Sequence, residues 1–328
     1  MLALAKMVDN VAVDSPRPGR LRSSNMPDTR FTVVQFSDAH LDPRDPGSVE
    51  KFNVAAERIE QLRPDFIIAT GDVSEDGYAH EGMFEQVKAR FEALPAPVRF
   101  VPGNHDVGDK LQGPHPVRQA YLELWDQVFG TDRFVLEHGG WRLIGLNSQI
   151  VGSDLPREQQ QHDWLIAQLA EARDAGQSAA VFMHAPAFLH APDERFPPGT
   201  AQNYWAFDPE PRRRFLDAVV QPHVRLIASG HLHWSRQFTC QGIDFVWAPS
   251  ARIVVDDPVF PMGGGVLGVV EYQFADETVS CQTHPLPNPD PIIPLSRQTV
   301  ELAGREIVLR ELVLDASLLR PEHAATLE

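Results

Sequence analysis

At 328 residues, 43% of them hydrophobic, the chain is long enough for one large α/β domain with appendages, or two small domains, and can bury a sizeable core. A formal net charge of −16 excludes broad nucleic-acid binding, which needs a basic face, and adhesion to an anionic membrane surface. No apolar run approaches the length of a membrane span, and Cys240 and Cys281 lack metal-type spacing, so both are expected as buried thiols in a reducing, cytoplasmic compartment.

Residues 1–30 carry Pro16, Pro18, Gly19, Ser23, Ser24 and Pro27 and read as a flexible extension, with Met26 as an alternative start. Phe31 to Ser37 then reads as a short apolar strand running into Asp38. After Pro43, Pro46 and Gly47, Ser48 is expected to cap a helix whose stripe is Val49, Phe52, Ala56, Ile59 and Leu62. Asp65 to Thr70 is a second strand ending at Gly71-Asp72, followed by a helix from Glu81 to Leu94. Val98 to Val101 is a third, ending at Gly103-Asn104-His105-Asp106. Strand and helix in alternation predict a sheet with a parallel core, whose site forms where the carboxyl ends of the strands meet.

Arg133–His138 and Trp141–Leu146 around Gly139-Gly140 predict a hairpin, and Glu158–Ala175 a helix. Ala179–Met183 is a strand ending at His184, Pro211–Val220 a helix, and Val224–Ala228 a strand ending at Gly230-His231. The short strands that follow predict a second, antiparallel sheet packed on the first. Prolines 285, 287, 289, 291 and 294 mark a linker, and the weak alternation over 299–315 predicts a C-terminal arm that adds to a sheet edge or a second subunit. The expected organisation is therefore an extension over 1–30, a domain over 31–284 and a linker with arm over 285–328.

Five segments with ligand-type side chains fall just past these strands: Asp38-Ala39-His40, Gly71-Asp72, Gly103-Asn104-His105-Asp106, His184 and Gly230-His231-Leu232-His233. Each alone is an ordinary loop element. Together they offer carboxylate, amide and imidazole donors of the kind that bind two divalent cations side by side, an arrangement used chiefly to hydrolyse phosphate esters. Asp38 and His40, and again His231 and His233, are two residues apart. Extended backbone would point each pair the same way. Two dications about 3.5 Å apart repel by roughly 19 kcal/mol at an effective dielectric of about 20, so an anionic bridge is required, and Asp72 has the two oxygens to supply it.

These motifs resemble the full set of the calcineurin-like metallophosphoesterases over roughly residues 31 to 274, with no ligand position missing. Asp38-Ala-His-Leu41, Gly71-Asp-Val-Ser-Glu-Asp-Gly77, Leu146-Asn-Ser148, Asp163-Trp-Leu165 and Ala248-Pro-Ser250 further resemble the bacterial class III cyclic-nucleotide phosphodiesterases. The resemblance implies a four-layer α/β/β/α sandwich of two mixed sheets flanked by helices, with a dinuclear metal site at the carboxyl ends of the strands. It implies that Asp38, His40 and His233 hold one metal, that Asn104, His184 and His231 hold the other, and that Asp72 bridges. It implies further that His105 protonates the leaving oxygen, with Asp106 orienting it. The metals would be divalent or trivalent Mn, Fe, Zn or Co.

The implied reaction is hydrolysis of a small phosphorylated substrate, a cyclic nucleotide or glycerophosphodiester, by hydroxide generated at the metals. A phosphomonoesterase, protein phosphatase or nucleotide pyrophosphatase would use the same centre, and a non-catalytic scaffold would be expected to have lost ligands. The aromatic stretch between Ala185 and Pro211 reads either as a roof over the metals or as local core. Tyr204, Asn203 and Asn147 are the candidate substrate contacts, and Arg212, Arg213 and Arg214 read as a solvated face or a phosphate contact.

Overall fold

The computed structural model describes residues 29–110, 115–195, 205–254, 265–287, 299–302 and 305–308. The expected N-terminal extension up to residue 28, Asn203, Tyr204 and most of the Pro-rich linker lie outside the described residues. The first half runs β1 (Phe31–Phe36), α1 (Pro46–Leu62), β2 (Phe66–Thr70), α2 (Met83–Glu92), β3 (Val98–Val101), α3 (Asn104–Val107), α4 (Gln119–Phe129), β4 (Phe134–His138) and β5 (Trp141–Gly145). The second half runs α5 (Pro156–Asp174), β6 (Ser178–Phe182), α6 (Pro209–Val219), β7 (Val224–Ser229), β8 (Arg236–Cys240), β9 (Ile243–Trp247), β10 (Gly268–Ala275) and β11 (Thr278–Pro285). A last hairpin, β12 (Thr299–Leu302) and β13 (Arg305–Val308), forms a two-stranded sheet of its own.

One sheet has the order β11-β10-β1-β2-β3 and the other β4-β5-β6-β7-β9-β8. Each has a parallel centre, β1 with β2 and β3 in one and β5 with β6, β7 and β9 in the other, and antiparallel flanks. The late strands therefore do not build a separate antiparallel sheet. β8 and β9 extend the sheet that already holds β6 and β7, while β10 returns across the molecule to pair with β1. Both sheets are mixed as a result.

Strand periodicity explains the four layers. Neighbouring residues on a buried strand face opposite sides. Val34 and Phe36 pack with Phe52 and Ile59 of α1, Phe84 of α2 and Trp125 of α4, whereas Val33 turns the other way. In the second sheet, Ala179 and Val181 meet Leu165 and Leu169 of α5 and Phe215 of α6, while Ala180 and Phe182 face the first sheet. Trp141, Leu226, Val246, Tyr272 and Phe274 complete the layer between the sheets. Gln35 is buried in that layer and joins the sheets near their upper ends. Its amide donates to Thr70 Oγ1 at 2.8 Å and to the Ser229 carbonyl at 3.1 Å, and its carbonyl accepts from Tyr272 Oη at 2.7 Å.

Two local expectations change. The cap of α1 is Asp45, whose carboxylate accepts from the backbone of Gly47 and Ser48. Ser48 is buried one turn in, where its hydroxyl donates to the His40 carbonyl at 3.2 Å and ties the helix to a ligand loop. The thiols of Cys240 and Cys281 are free, as expected, but only partly buried, because both lie on flanking strands.

Candidate metal centre

The parallel strands of both sheets end on the same side, and each delivers donors there. β1 leads to Asp38 and His40, β2 to Asp72, and β3 to Asn104 and His105, while β6 leads to His184 and β7 to His231 and His233. Backbone bonds lace these loops together: Asp38 N donates to Gly71 O at 3.1 Å, His40 N to Asp72 O at 2.8 Å, and Gly230 N to His184 O at 2.8 Å. The loops pack so closely that a Cβ at Gly103 would collide with the Asp72 carboxylate, and one at Gly230 with Ser37 and Asp38.

The donors converge in two groups that share Asp72. Ligand atoms of Asp38, His40, Asp72 and His233 lie within 4.8 Å of one another, as do those of Asp72, His184 and His231. In the first group, His40 Nε2 is 3.2 Å from His233 Nε2 and 3.6 Å from Asp72 Oδ2, and His233 Nε2 is 3.3 Å from Asp38 Oδ1. In the second, His184 Nε2 is 3.0 Å from Asn104 Oδ1, 3.2 Å from His231 Nδ1 and 3.3 Å from Asp72 Oδ2. All seven side chains named from the motifs are thus together, and all are buried.

The way they converge differs from the sequence expectation. Asp38, His40, Asp72, His231 and His233 all have left-handed backbone, with φ of 53°, 41°, 46°, 68° and 57°. The donors two residues apart are therefore not extended; turns aim them. Left-handed backbone costs a non-glycine residue about 1–3 kcal/mol and persists only where the surroundings impose it, which is typical of functional sites.

The donor chemistry fits two cations. His184 Nδ1 donates to the Thr70 carbonyl at 2.8 Å, so in the neutral ring Nε2 carries a lone pair. That lone pair faces an amide oxygen and a carboxylate oxygen, which also only accept. A positive charge among them would satisfy all three. Without a cation it is a proton: burial pushes His184 down, but Asp72 and Asp38 outweigh it and raise the ring to about 10. His231, buried beside that charge, falls to about 3. Burial pushes Asp38 up, and His184 and His233 hold it at about 2. A bound cation would take the place of the proton.

A sequence profile described as calcineurin-like phosphoesterase matches residues 31–235. The chain belongs to this family. It is 30% identical over 203 residues to the human serine/threonine-protein phosphatase CPPED1, a match covering 58% of this chain and 61% of that protein. It is 28% identical over 248 residues to a probable cyclic nucleotide phosphodiesterase of Synechococcus, covering 71% of this chain and 85% of that one. The chain thus spans about three fifths of the length of the CPPED1 proteins it matches. A purple acid phosphatase from yellow lupin shares the fold, with a TM-score of 0.56 at 14% identity over 79% of this chain and 52% of that one.

Around these donor groups the remaining candidates sort by contact. The backbone N–H of His105 donates to Asp72 Oδ1 at 2.8 Å, and its ring lies 4.6 Å from that of His40. Burial pushes the His105 ring down, but Asp72 and Glu75 prevail and raise it. Asp106 does not orient this ring. Its carboxylate accepts from Gly103 N, Ser74 N, Ser74 Oγ and Val73 N at 2.8–3.2 Å, bracing two ligand loops and leaving no oxygen free for His105. The ring is held instead by the Glu75 carbonyl, 2.6 Å from Nδ1. Glu75, and Arg252 beside it, were not singled out from the sequence as site residues. Glu75 stands within the Gly71–Gly77 motif, but nothing in the sequence marks Arg252.

Asn147 is fully buried, and the partners of its side chain lie outside the donor groups. Its amide donates to Asp132 Oδ2 and its carbonyl accepts from Gln149 N, each at 2.9 Å. Of the aromatic stretch, Phe188 and Phe207 belong to the core under α5 and α6, whereas Trp205 tilts over His231 at 5.2 Å. The three arginines part company. Arg212 is buried against Glu194 at 3.2 Å, Arg213 pairs on the surface with Glu210 and Asp217, and Arg214 reaches Gln159.

Lys110 anchors the Trp205 segment from the opposite half of the molecule, with Nζ 2.5 Å from the Ala206 carbonyl and 3.8 Å from Asp208. Burial lowers its pKa from 10.5 to about 8, against the pull of Asp208 and Asp109. The unfolded chain therefore holds this proton more tightly than the fold does, and stability gains as pH rises through that interval. The native protein is expected to gain stability relative to Lys110→Met between pH 8 and 10.5. Denaturant midpoints of both proteins across that range measure it, and a constant difference would show that Lys110 carries no such penalty.

Proposed function

We propose that the protein is a metal-dependent phosphodiesterase acting on a small anionic diester such as a cyclic nucleotide or glycerophosphodiester. The observation that carries this reading is the pair of donor groups joined by Asp72. Asp38, His40 and His233 would hold one cation, Asn104, His184 and His231 the other, and Asp72 both. When bound, Mn, Fe, Zn or Co ions would neutralise phosphoryl charge and supply a water-derived nucleophile near neutral pH.

The chain's own groups do the rest. His105 presents Nε2 to the leaving oxygen, since Nδ1 is committed to the Glu75 carbonyl. Doubly protonated, that ring can give its Nε2 proton to an alkoxide that would otherwise leave poorly. Asp72 links both functions: its side chain bridges the donor groups and accepts from the His105 backbone.

Charge favours a diester. Two carboxylates against two dications leave a surplus of about two positive charges, which one phosphate monoanion and the nucleophile can match. The nearby cations are already matched. Arg252 faces Glu75 and Asp45, and Lys110 is tied to Ala206 and Asp208. A dianionic monoester would gain little from either. The relatives named cyclic nucleotide phosphodiesterase support the same direction, the Synechococcus protein with 85% of its length covered and one from Rhodococcus erythropolis with 87%.

The name of CPPED1 supports a second reading, a protein phosphatase using the same centre. A cytoplasmic setting, with a second copy recruited through the C-terminal arm, completes the proposal. Among the described residues, no helix is long and apolar enough to cross a membrane.

Protein stripped by chelator and reloaded with Mn²⁺ should hydrolyse bis(p-nitrophenyl) phosphate and cyclic nucleotides with higher kcat/KM than p-nitrophenyl phosphate or a phosphoserine peptide. Stripped protein should turn over none of them. Faster monoester or phosphopeptide hydrolysis would move the assignment to the phosphatase reading, and turnover that survives stripping would overturn both.

A further inference from the structure

A third donor group adjoins the first: ring nitrogens of His40 and His105 and an oxygen of Glu75 lie within 4.8 Å of one another. Such a cluster invites a third cation, but a cation is already there. Arg252 Nη1 lies 2.5 Å from Glu75 Oε2 and also donates to the His40 carbonyl, while Nη2 reaches Asp45 Oδ2 at 3.0 Å. The arginine is set firmly. Its backbone N–H donates to Ser250 Oγ at 3.0 Å, and that hydroxyl donates to the Asp38 carbonyl at 2.7 Å. Arg252 thereby holds Glu75 against the ligand loop of Asp38 and His40, which a metal ion in the same place would have to displace.

Glu75 touches both histidines with different atoms. Its Oε2 stands 3.5 Å from His40 Nδ1, a buried nitrogen with no hydrogen-bond partner among the described residues. Its backbone carbonyl lies 2.6 Å from His105 Nδ1. The other nitrogen of His40, Nε2, faces Asp72 and His233. A histidine that binds a metal through one nitrogen is oriented, and made more basic, by the carboxylate that accepts from the other. Here the same residue that can do this for His40 also sets the ring of the acid. The two roles are separable, because one belongs to the side chain and the other to the backbone.

We propose that Glu75, clamped by Arg252, is the positioning residue that sets His40 as a cation ligand through its carboxylate and His105 through its carbonyl. This rests on the two-cation reading of the site. The test is a metal-binding titration of chelator-stripped protein with Mn²⁺, native and Glu75→Gln, alongside rates on diesters with alkyl and with p-nitrophenyl leaving groups. Glu75→Gln is expected to weaken one of the two ions by about 10–100-fold and leave the other unchanged. The ratio of alkyl to p-nitrophenyl rates should fall far less than in His105→Ala, since the carbonyl that holds the ring remains.

Glu75→Asp, which keeps a carboxylate at shorter reach, should bind with intermediate affinity, and it carries the same comparison if Glu75→Gln folds poorly. Native affinity for both ions in the variants, with only the melting temperature lowered, would overturn the proposal and leave Glu75–Arg252 a structural ion pair. Native protein that binds no ion would instead defeat the two-cation reading beneath it.

Discussion

Asp72→Asn is expected to lower turnover by more than about 10³-fold, a loss of about 4 kcal/mol of transition-state stabilisation, and to cost the protein at least one of its two cations. The substitution is nearly isosteric. An asparagine oxygen can still accept from the His105 backbone, now 2.8 Å from Asp72 Oδ1, so the loops should keep their places. What changes is charge. The two donor groups meet only at this carboxylate, and without it Asp38 is the sole anion left among the seven candidate donors. Close dications then lack the negative oxygen that offsets their repulsion. Metal content by elemental analysis and turnover of bis(p-nitrophenyl) phosphate, measured on one preparation, check the result. A variant holding both ions at near-native rate would remove the bridge from the account.

The second large effect is conditional on the leaving group. His105→Ala should slow hydrolysis of alkyl diesters by about 10²–10⁴-fold, the usual contribution of a positioned acid. On p-nitrophenyl diesters the loss should be far smaller, because that phenolate departs without a proton. Metal content should be unchanged, since His105 lies outside both groups that share Asp72. The comparison separates roles that a single assay confounds. An equal loss on both substrates would mean that His105 binds the phosphate instead of protonating the leaving oxygen.

The parts of the site that were legible are those carried by short motifs. Asp38-x-His40, Gly71-Asp72, Asn104-His105, His184 and His231-x-His233 all reach the centre, because each directly follows a parallel strand and such strands end together. Local pattern failed where a partner lies far along the chain. The pairing of β10 with β1 joins residues more than two hundred positions apart, and hairpin logic for the late strands could not see it. Asp106 looked like the orienter of its neighbour His105, yet its oxygens go to donors from the preceding ligand loop and Gly103. The ring is oriented by a carbonyl thirty residues upstream, a group that every residue has and no sequence can flag.

The chain's order of residues by itself determined the chemistry on offer: which donors exist, that strand and helix alternate around them, and that one aspartate can bridge. Side-chain type and hydrophobic period are local properties, so they survive reading in one dimension. Only the folded molecule decided how the donors are aimed and what surrounds them. Five of the seven reach the centre through left-handed backbone, four of them where extended strand was expected, and Arg252 meets Glu75 from 177 positions away. These depend on loops from two sheets pressing on one another, since strained backbone persists only where packing from several sides leaves no cheaper arrangement.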